Sequence, residues 1–187
     1  QIWCSDDTDA IERLQIQEGT ALLYPLSTMG AHVSDCPNHI VGRNTPFATR
    51  GHVALAGTFG YELDSTRISE EDKKEMEDQT ALYHKYQPLI REGDYYRLAS
   101  WRENHFWDSW EVVAKDKSEA LLTVVQVLAE AASRSRRIHV RGLDEQAEYM
   151  LEETGEVAKG SLWMEGGILV PRYSGDFVSR LYHFIRQ

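Results

Sequence analysis

"SEEDKKEMEDQTALYHKYQPLIREG", Ser69 to Gly93, is the most strongly patterned stretch of the chain, and the texture of the sequence changes where it ends. Ser69 is a favoured N-cap, and the acidic residues behind it complement the positive end of a helix dipole. Met76, Leu82, Tyr83, Tyr86, Leu89 and Ile90 fall on one apolar helix face, and Gly93 stops the pattern. Upstream, "DAIERLQIQEG" (Asp9–Gly19) predicts a helix closed by Gly19. "ALLYPLS" (Ala21–Ser27) and "HVALAGTFGYEL" (His52–Leu63) are apolar runs bounded by Pro, Gly and Asn, which predicts buried strands. Downstream, "EVVAKDKSEALLTVVQVL" (Glu111–Leu128) predicts a β-hairpin turning at Lys115–Ser118. "RRIHVRGL", "AEYMLE", "GILVP" and "DFVSRLYHFI" follow as short runs at near-regular spacing, the pattern of a β-sandwich.

The expected organisation is α/β plus all-β, with strand–helix units over 1–92 and a compact antiparallel β-sandwich over 93–187. A first part of that length is too short for a complete (β/α)8 barrel, which needs about 250 residues. The last strand–helix units of such a barrel followed by a sandwich fit both halves. Of the 187 residues, 42% are hydrophobic and 27% charged, so a folded globular chain is expected rather than disorder. A formal charge of −10 without a Lys/Arg stripe argues against a nucleic-acid partner. No apolar run reaches the roughly 18 residues that would span a bilayer, so no membrane partner is expected. Cys4 and Cys36 make no disulfide framework and suit a reducing compartment. The chain opens on Gln1, inside structured-looking sequence with no visible leader, as a piece of a longer polypeptide would.

"WCSDDTDAIERL", Trp3 to Leu14, places three carboxylates within four residues. Helix capping explains them in part: Asp9 stands just before Ala10-Ile11, and Arg13, four residues on, is placed to pair with it. A second reading is catalytic. In a strand, Trp3 and Ser5 point one way and Cys4 and Asp6 the other. A carboxylate at the end of a barrel strand sits where such enzymes keep their reacting groups, and both Asp6 and Asp9 qualify. A nearby Trp offers a stacking surface for the apolar face of a sugar.

"WCSDDTDAIERLQIQEG", "YPLSTMGAHVSDCPNH", "RGHVALAGTFGYELD", "EGDYYRLAS", "DKSEALL" and "GDFVSRL", in this order along nearly the whole chain, resemble the C-terminal part of microbial α-galactosidases of glycoside hydrolase family 36. The resemblance implies a (β/α)8 barrel with a C-terminal β-sandwich. It also implies retaining hydrolysis of terminal α-linked galactose from oligosaccharides such as melibiose and raffinose. It places the acid/base at Asp6, with Asp9 orienting its loop and Trp3 and Ser5 beside the sugar; Asp7 is left as a capping or solvent-facing residue, and Asp9 is the alternative proton donor. Retaining glycosidases work with two carboxyl groups about 5 to 5.5 Å apart. The family's nucleophile lies in an upstream Lys-Trp-Asp motif that this sequence does not contain, so this chain is expected to be inactive without the N-terminal part of its protein. No organic cofactor and no catalytic metal are implied; a homo-oligomeric parent in the cytoplasm of a bacterium is. Relatives that transfer galactosyl groups to sucrose, or act on N-acetylated sugars, are the alternative within the family.

Other constellations have simpler roles open to them. "FWDSW" contains a Trp-Asp pair, but Phe106 stands where the nucleophile motif has Lys; Asp108 is expected in a turn, and Trp107 and Trp110 in the sandwich core or at its edge. His32, Asp35, Cys36 and His39 are possible metal ligands, or else hydrogen-bonding loop residues. "GTFGYELD" lacks the third Gly and the Lys of a phosphate loop, leaving Glu62 and Asp64 as surface carboxylates. Arg134, Arg136 and Arg137 suit a solvated hairpin turn. From a different class, a non-catalytic carbohydrate-binding or assembly module would show Trp101, Trp107, Trp110 and Trp163 in an exposed row.

Overall fold

Asp9 accepts hydrogen bonds from the backbone N–H groups of Ile11 and Glu12, and helix α1 (Ala10–Ala21) starts there as its cap predicts. The structure, a computed structural model, describes residues 2–132 and 135–187. The chain divides into two compact units, 1–91 and 92–187.

In the first unit α1 is followed by a short 3-10 turn (Leu26–Thr28), strand β1 (Gly30–Ser34), helix α2 (Phe47–Ala54), strand β2 (Thr58–Glu62) and helix α3 (Glu70–Glu92). β1 and β2 are parallel, with Gly30 opposite Thr58 and Ser34 opposite Glu62. Ile2 extends the ladder through a parallel bridge to Met29. Ala31 and Val33 point to one face of β1 and pack with Phe47 and Ala54 of α2. His32 points the other way, as strand alternation requires. Gly57 is dictated by close approach: a Cβ there would lie 2.8 Å from the Met29 carbonyl oxygen. On α3, Gln79, Tyr86, Leu89 and Ile90 are buried, and Tyr83 stacks on Phe59 at 5.2 Å.

Three upstream expectations are corrected. α1 runs through Gly19 to Ala21, because an exposed helical Gly costs only about 1 kcal/mol against Ala and does not by itself end a helix. "ALLYPLS" is no buried strand: it is the end of α1 and a turn, with Leu22, Leu23 and Tyr24 exposed. "HVALAGTFGYEL" is the end of α2 followed by β2. A short apolar run does not distinguish buried helix from buried strand by periodicity alone.

The second unit holds a six-stranded antiparallel sheet ordered β3-β4-β5-β10-β7-β8 and a two-stranded antiparallel sheet, β6-β9. The strands are β3 (Asp94–Ala99), β4 (Trp107–Val113), β5 (Glu119–Gln126), β6 (Arg136–Ile138), β7 (Glu148–Leu151), β8 (Glu156–Lys159), β9 (Ile168–Val170) and β10 (Val178–Arg186). β4 and β5 form the predicted hairpin. In its turn Asp116 Oδ1 accepts from the Ser118 N–H and hydroxyl, and these bonds hold the carboxyl below its ordinary range. β10 lies between β5 and β7, and Leu122, Val124, Tyr149, Leu151 and Phe184 form a core with Ile138, Ile168 and Val170 of the smaller sheet. Trp163 meets Phe184 edge-on at 5.4 Å and donates its indole N–H to the Tyr149 carbonyl. No helix among the described residues is long and apolar enough to cross a membrane.

Asp108 is not a turn residue. It lies in β4, is 3% exposed, and accepts from the backbone N–H of Trp101 at the start of the short helix α4 (Trp101–Asn104). Trp110 and Trp163 are buried and Trp101 and Trp107 half-buried, so the exposed tryptophan row of a carbohydrate-binding module is absent among the described residues. Arg136 and Arg137 belong to β6 rather than to a hairpin turn. Arg136 lies over the Trp107 ring and Arg137 donates to the Gly166 carbonyl, while Arg134 falls outside the described residues.

Glu111 on β4 is fully buried; its Oε2 accepts from the Arg141 N–H at 2.8 Å and its Oε1 has no partner among the described residues. Burial pushes this carboxyl up from 4.5 to about 8. As pH rises, the unfolded chain gives up this proton first. The group's contribution to stability is therefore complete below about 4.5 and is lost progressively up to about 8. Glu111→Gln removes that dependence. Denaturant midpoints of wild type and variant across this range are expected to diverge in the variant's favour as pH rises.

Candidate active site

Ile2 accepts from the Gly30 N–H and donates to the Thr28 carbonyl, which fixes the opening segment beside β1 as a third parallel element. Beyond it, the turn is closed by its own polar groups. The Asp7 N–H bonds the Ser5 hydroxyl, and the Asp9 N–H bonds Asp7 Oδ1 at 2.9 Å. Asp9 is 1% exposed, and besides capping α1 it forms an ion pair with the Arg43 guanidinium. Arg43 also reaches Glu12 at 3.4 Å. Asn38, in the loop after β1, donates to the Thr8 hydroxyl, and the Ser34 hydroxyl donates to the Thr8 carbonyl. The loop between β1 and α2 is thus tied to the residues just before α1.

Arg13 does not pair with the Asp9 carboxylate as the helix spacing predicts. Its guanidinium turns inward, donating to the Gly30 carbonyl and to Gln17 Oε1. Burial holds it below its ordinary pKa. The partner of Asp9 is instead Arg43, 34 residues along. Helix spacing carries no signal for it, since a loop brings it there.

Asp6 is exposed, and its Oδ1 accepts from the Trp3 indole N–H at 2.7 Å. The Trp3 ring, 56% exposed, lies against the His32 ring with centroids 4.9 Å apart and planes at 41°. His32 Nδ1 is 3.5 Å from Glu62 Oε2 across the parallel pair. Burial lowers the His32 pKa, which Glu62 raises in part and Arg13 lowers further. The structure therefore brings Trp3, Asp6, His32 and Glu62 together on the face of the strands opposite α2. Ser5 and Asp9 are held in the turn behind.

The possible metal ligands are dispersed. His32 is in β1 rather than in a loop, Asp35 accepts from the Asp64 N–H, Cys36 bonds Asn44 and His39 is exposed. Among the described residues no group of three His, Cys, Asp or Glu is placed to hold a metal ion. Asp64 organises a turn with Thr66, which lowers its pKa, and Met29 and Ala31 are buried around the start of β1.

Two parallel strands and an adjoining parallel segment thus lead into a turn that carries an exposed carboxylate, Asp6. Residues 1–93 match the Melibiase family model, and residues 107–184 match the glycosyl hydrolase family 36 C-terminal domain. The bifunctional α-galactosidase/sucrose kinase AgaSK of Mediterraneibacter gnavus is 43% identical over 187 residues, 98% of this chain and 20% of the relative. α-Galactosidase AgaA of Geobacillus stearothermophilus is 46% identical over 182 residues, 97% of this chain and 25% of the relative. A structure of an AgaA variant in complex with raffinose matches with a TM-score of 0.97 and 43% identity, over 100% of this chain and 26% of that one. Another AgaA variant in complex with stachyose matches with a TM-score of 0.96 and 44% identity, over the same shares of the two chains. The chain belongs to glycoside hydrolase family 36 and carries that family's C-terminal domain. It spans a quarter or less of the length of these two curated relatives.

Because Asp9 is buried, removing its counter-charge leaves an uncompensated carboxylate. Arg43→Met is expected to destabilise the chain by about 3 kcal/mol or more, read by urea denaturation. Asp9→Asn in the same background is expected to recover part of that loss, since no charge is then stranded.

Proposed function

We propose that the protein carrying this chain is a retaining α-galactosidase. On this reading, residues 1–92 are the last strand–helix units of its (β/α)8 barrel and residues 93–187 its C-terminal β-sandwich, and Asp6 is the general acid/base. The observation that carries the assignment is the division of labour among three neighbouring carboxylates. Asp7 and Asp9 are spent on the turn and the helix cap, while Asp6 stands exposed with one oxygen held by Trp3. Asp9, buried and paired with Arg43, is a poor candidate for proton transfer.

In this mechanism protonated Asp6 gives its proton to the glycosidic oxygen as a second carboxylate attacks the anomeric carbon. The C–O bond breaks and a galactosyl-enzyme ester forms. Asp6, now ionised, takes a proton from water, whose oxygen attacks the same carbon and releases the second carboxylate, retaining configuration. No Lys-Trp-Asp motif occurs in the 187 residues, so the nucleophile is assigned to another part of the protein. Trp3 and Ser5 stand beside the departing sugar, with Asp9 behind them. The substrates are α-galactosides of the raffinose and stachyose type, the ligands in the AgaA complexes. The same reading makes the protein a cytoplasmic homo-oligomer. Exposed Leu22, Leu23 and Tyr24 are apolar surface for the rest of the barrel to cover.

In the full-length protein, Asp6→Ala is expected to cut kcat/KM on raffinose by about 10²- to 10⁴-fold. With 2,4-dinitrophenyl α-galactoside, whose departure needs no acid, azide attacks the galactosyl-enzyme without needing a general base, restores turnover and yields α-galactosyl azide. Raffinose hydrolysis at the wild-type rate by this variant would overturn the assignment, as would galactoside turnover by the isolated 187-residue chain.

A further inference from the structure

Trp3 is a large side chain, more than half exposed, yet its indole N–H donates to Asp6. An exposed indole hinged at Cβ samples several rotamers unless something holds its face. One neighbour does so: His32, on the uncovered face of β1, with its ring 4.9 Å from that of Trp3. His32 is itself oriented, since its Nδ1 faces Glu62 Oε2 at 3.5 Å from the next parallel strand. Gly60 lies opposite His32 in the ladder. The four side chains form a relay from a rigid two-stranded ladder to a carboxylate on a turn. One Asp6 oxygen is occupied by the indole, and the other is left to carry the proton.

Resting on the assignment of Asp6 as general acid, we propose that His32 is a positioning residue. It braces Trp3, oriented by Glu62, so that the indole N–H keeps Asp6 aimed at the departing oxygen. His32 touches neither the substrate nor Asp6 in this scheme. Burial, against the opposing pull of Glu62 and with the help of the Arg13 charge, favours the neutral imidazole, which packs against the indole without carrying a buried charge.

A residue that acts only by aiming a general acid matters in proportion to how much its substrate needs that acid. The leaving group of raffinose is a poorly acidic alcohol and needs it; that of 2,4-dinitrophenyl α-galactoside is a stable phenolate and does not. In the full-length protein, His32→Ala is expected to lower kcat/KM on raffinose by about tenfold or more, given how steeply rate falls with misplacement. On the aryl substrate kcat/KM, which reports only the step that forms the galactosyl-enzyme, should stay near that of wild type. His32→Phe, which keeps a flat ring against Trp3, restores most of the raffinose activity. Trp3→Phe, which removes the N–H held by Asp6, also lowers kcat/KM on raffinose. Adding His32→Ala to it costs little more, because both act through one contact.

Equal loss on both substrates, no loss on either, or additive losses in the double variant would overturn the role of His32. Asp6→Ala in parallel separates the two assignments. If its losses do not depend on leaving group, the general-acid assignment fails and His32 falls with it. If they do while those of His32→Ala do not, only the brace is wrong.

Discussion

A single buried carboxylate organises the end of the first unit from which Asp6 projects. Asp9 receives two backbone N–H groups from the first turn of α1 and the guanidinium of Arg43 from the loop after β1. A charge that far from water is tolerable only when its lone pairs are met, and here they are met by two different elements. The helix start and the long loop are therefore fixed to each other. The turn between Ser5 and Asp9 is closed by its own hydrogen bonds and has little freedom left. Asp6 projects from that turn with its backbone held and its side chain open.

Each unit has its own apolar core. In the first, Ala31 and Val33 pack with Phe47 and Ala54, and polar groups tie neighbouring elements together: Asn38 on Thr8, Ser34 on Thr8, Gln79 on the Phe47 carbonyl. In the second, a long central strand, β10, is flanked on both sides, and the core is aromatic and aliphatic. Its buried polar groups are exceptions to that pattern. Asp108 caps a helix and Tyr173 shares a hydrogen bond with Tyr182, while Glu111 keeps one oxygen without a partner among the described residues.

What the sequence disclosed follows from the range of the forces involved. The Asp9 cap, α3 and the β4–β5 hairpin were legible because each is set by neighbours a few residues apart. The runs at Ala21–Ser27 and His52–Leu63 were misread because apolarity alone does not choose between helix and strand. Asp108 lay between aromatics and suggested a turn, but it belongs to β4 and accepts from the start of α4 seven residues earlier. Arg13 sat at the right helical spacing for Asp9 and lost to Arg43, which only a loop can deliver. His32 was read with its loop neighbours as a possible ligand, whereas its position in β1 turns it toward Trp3.

The most direct test is the structure of the full-length protein bearing Asp6→Asn with raffinose bound. The expected result is the substituted side chain at position 6 within about 3 Å of the glycosidic oxygen, as proton transfer requires, with the Trp3 indole N–H still on its other side. A glycosidic oxygen met by a different carboxyl group, with the side chain at position 6 turned away from the sugar, would contradict the assignment of Asp6 as the proton donor.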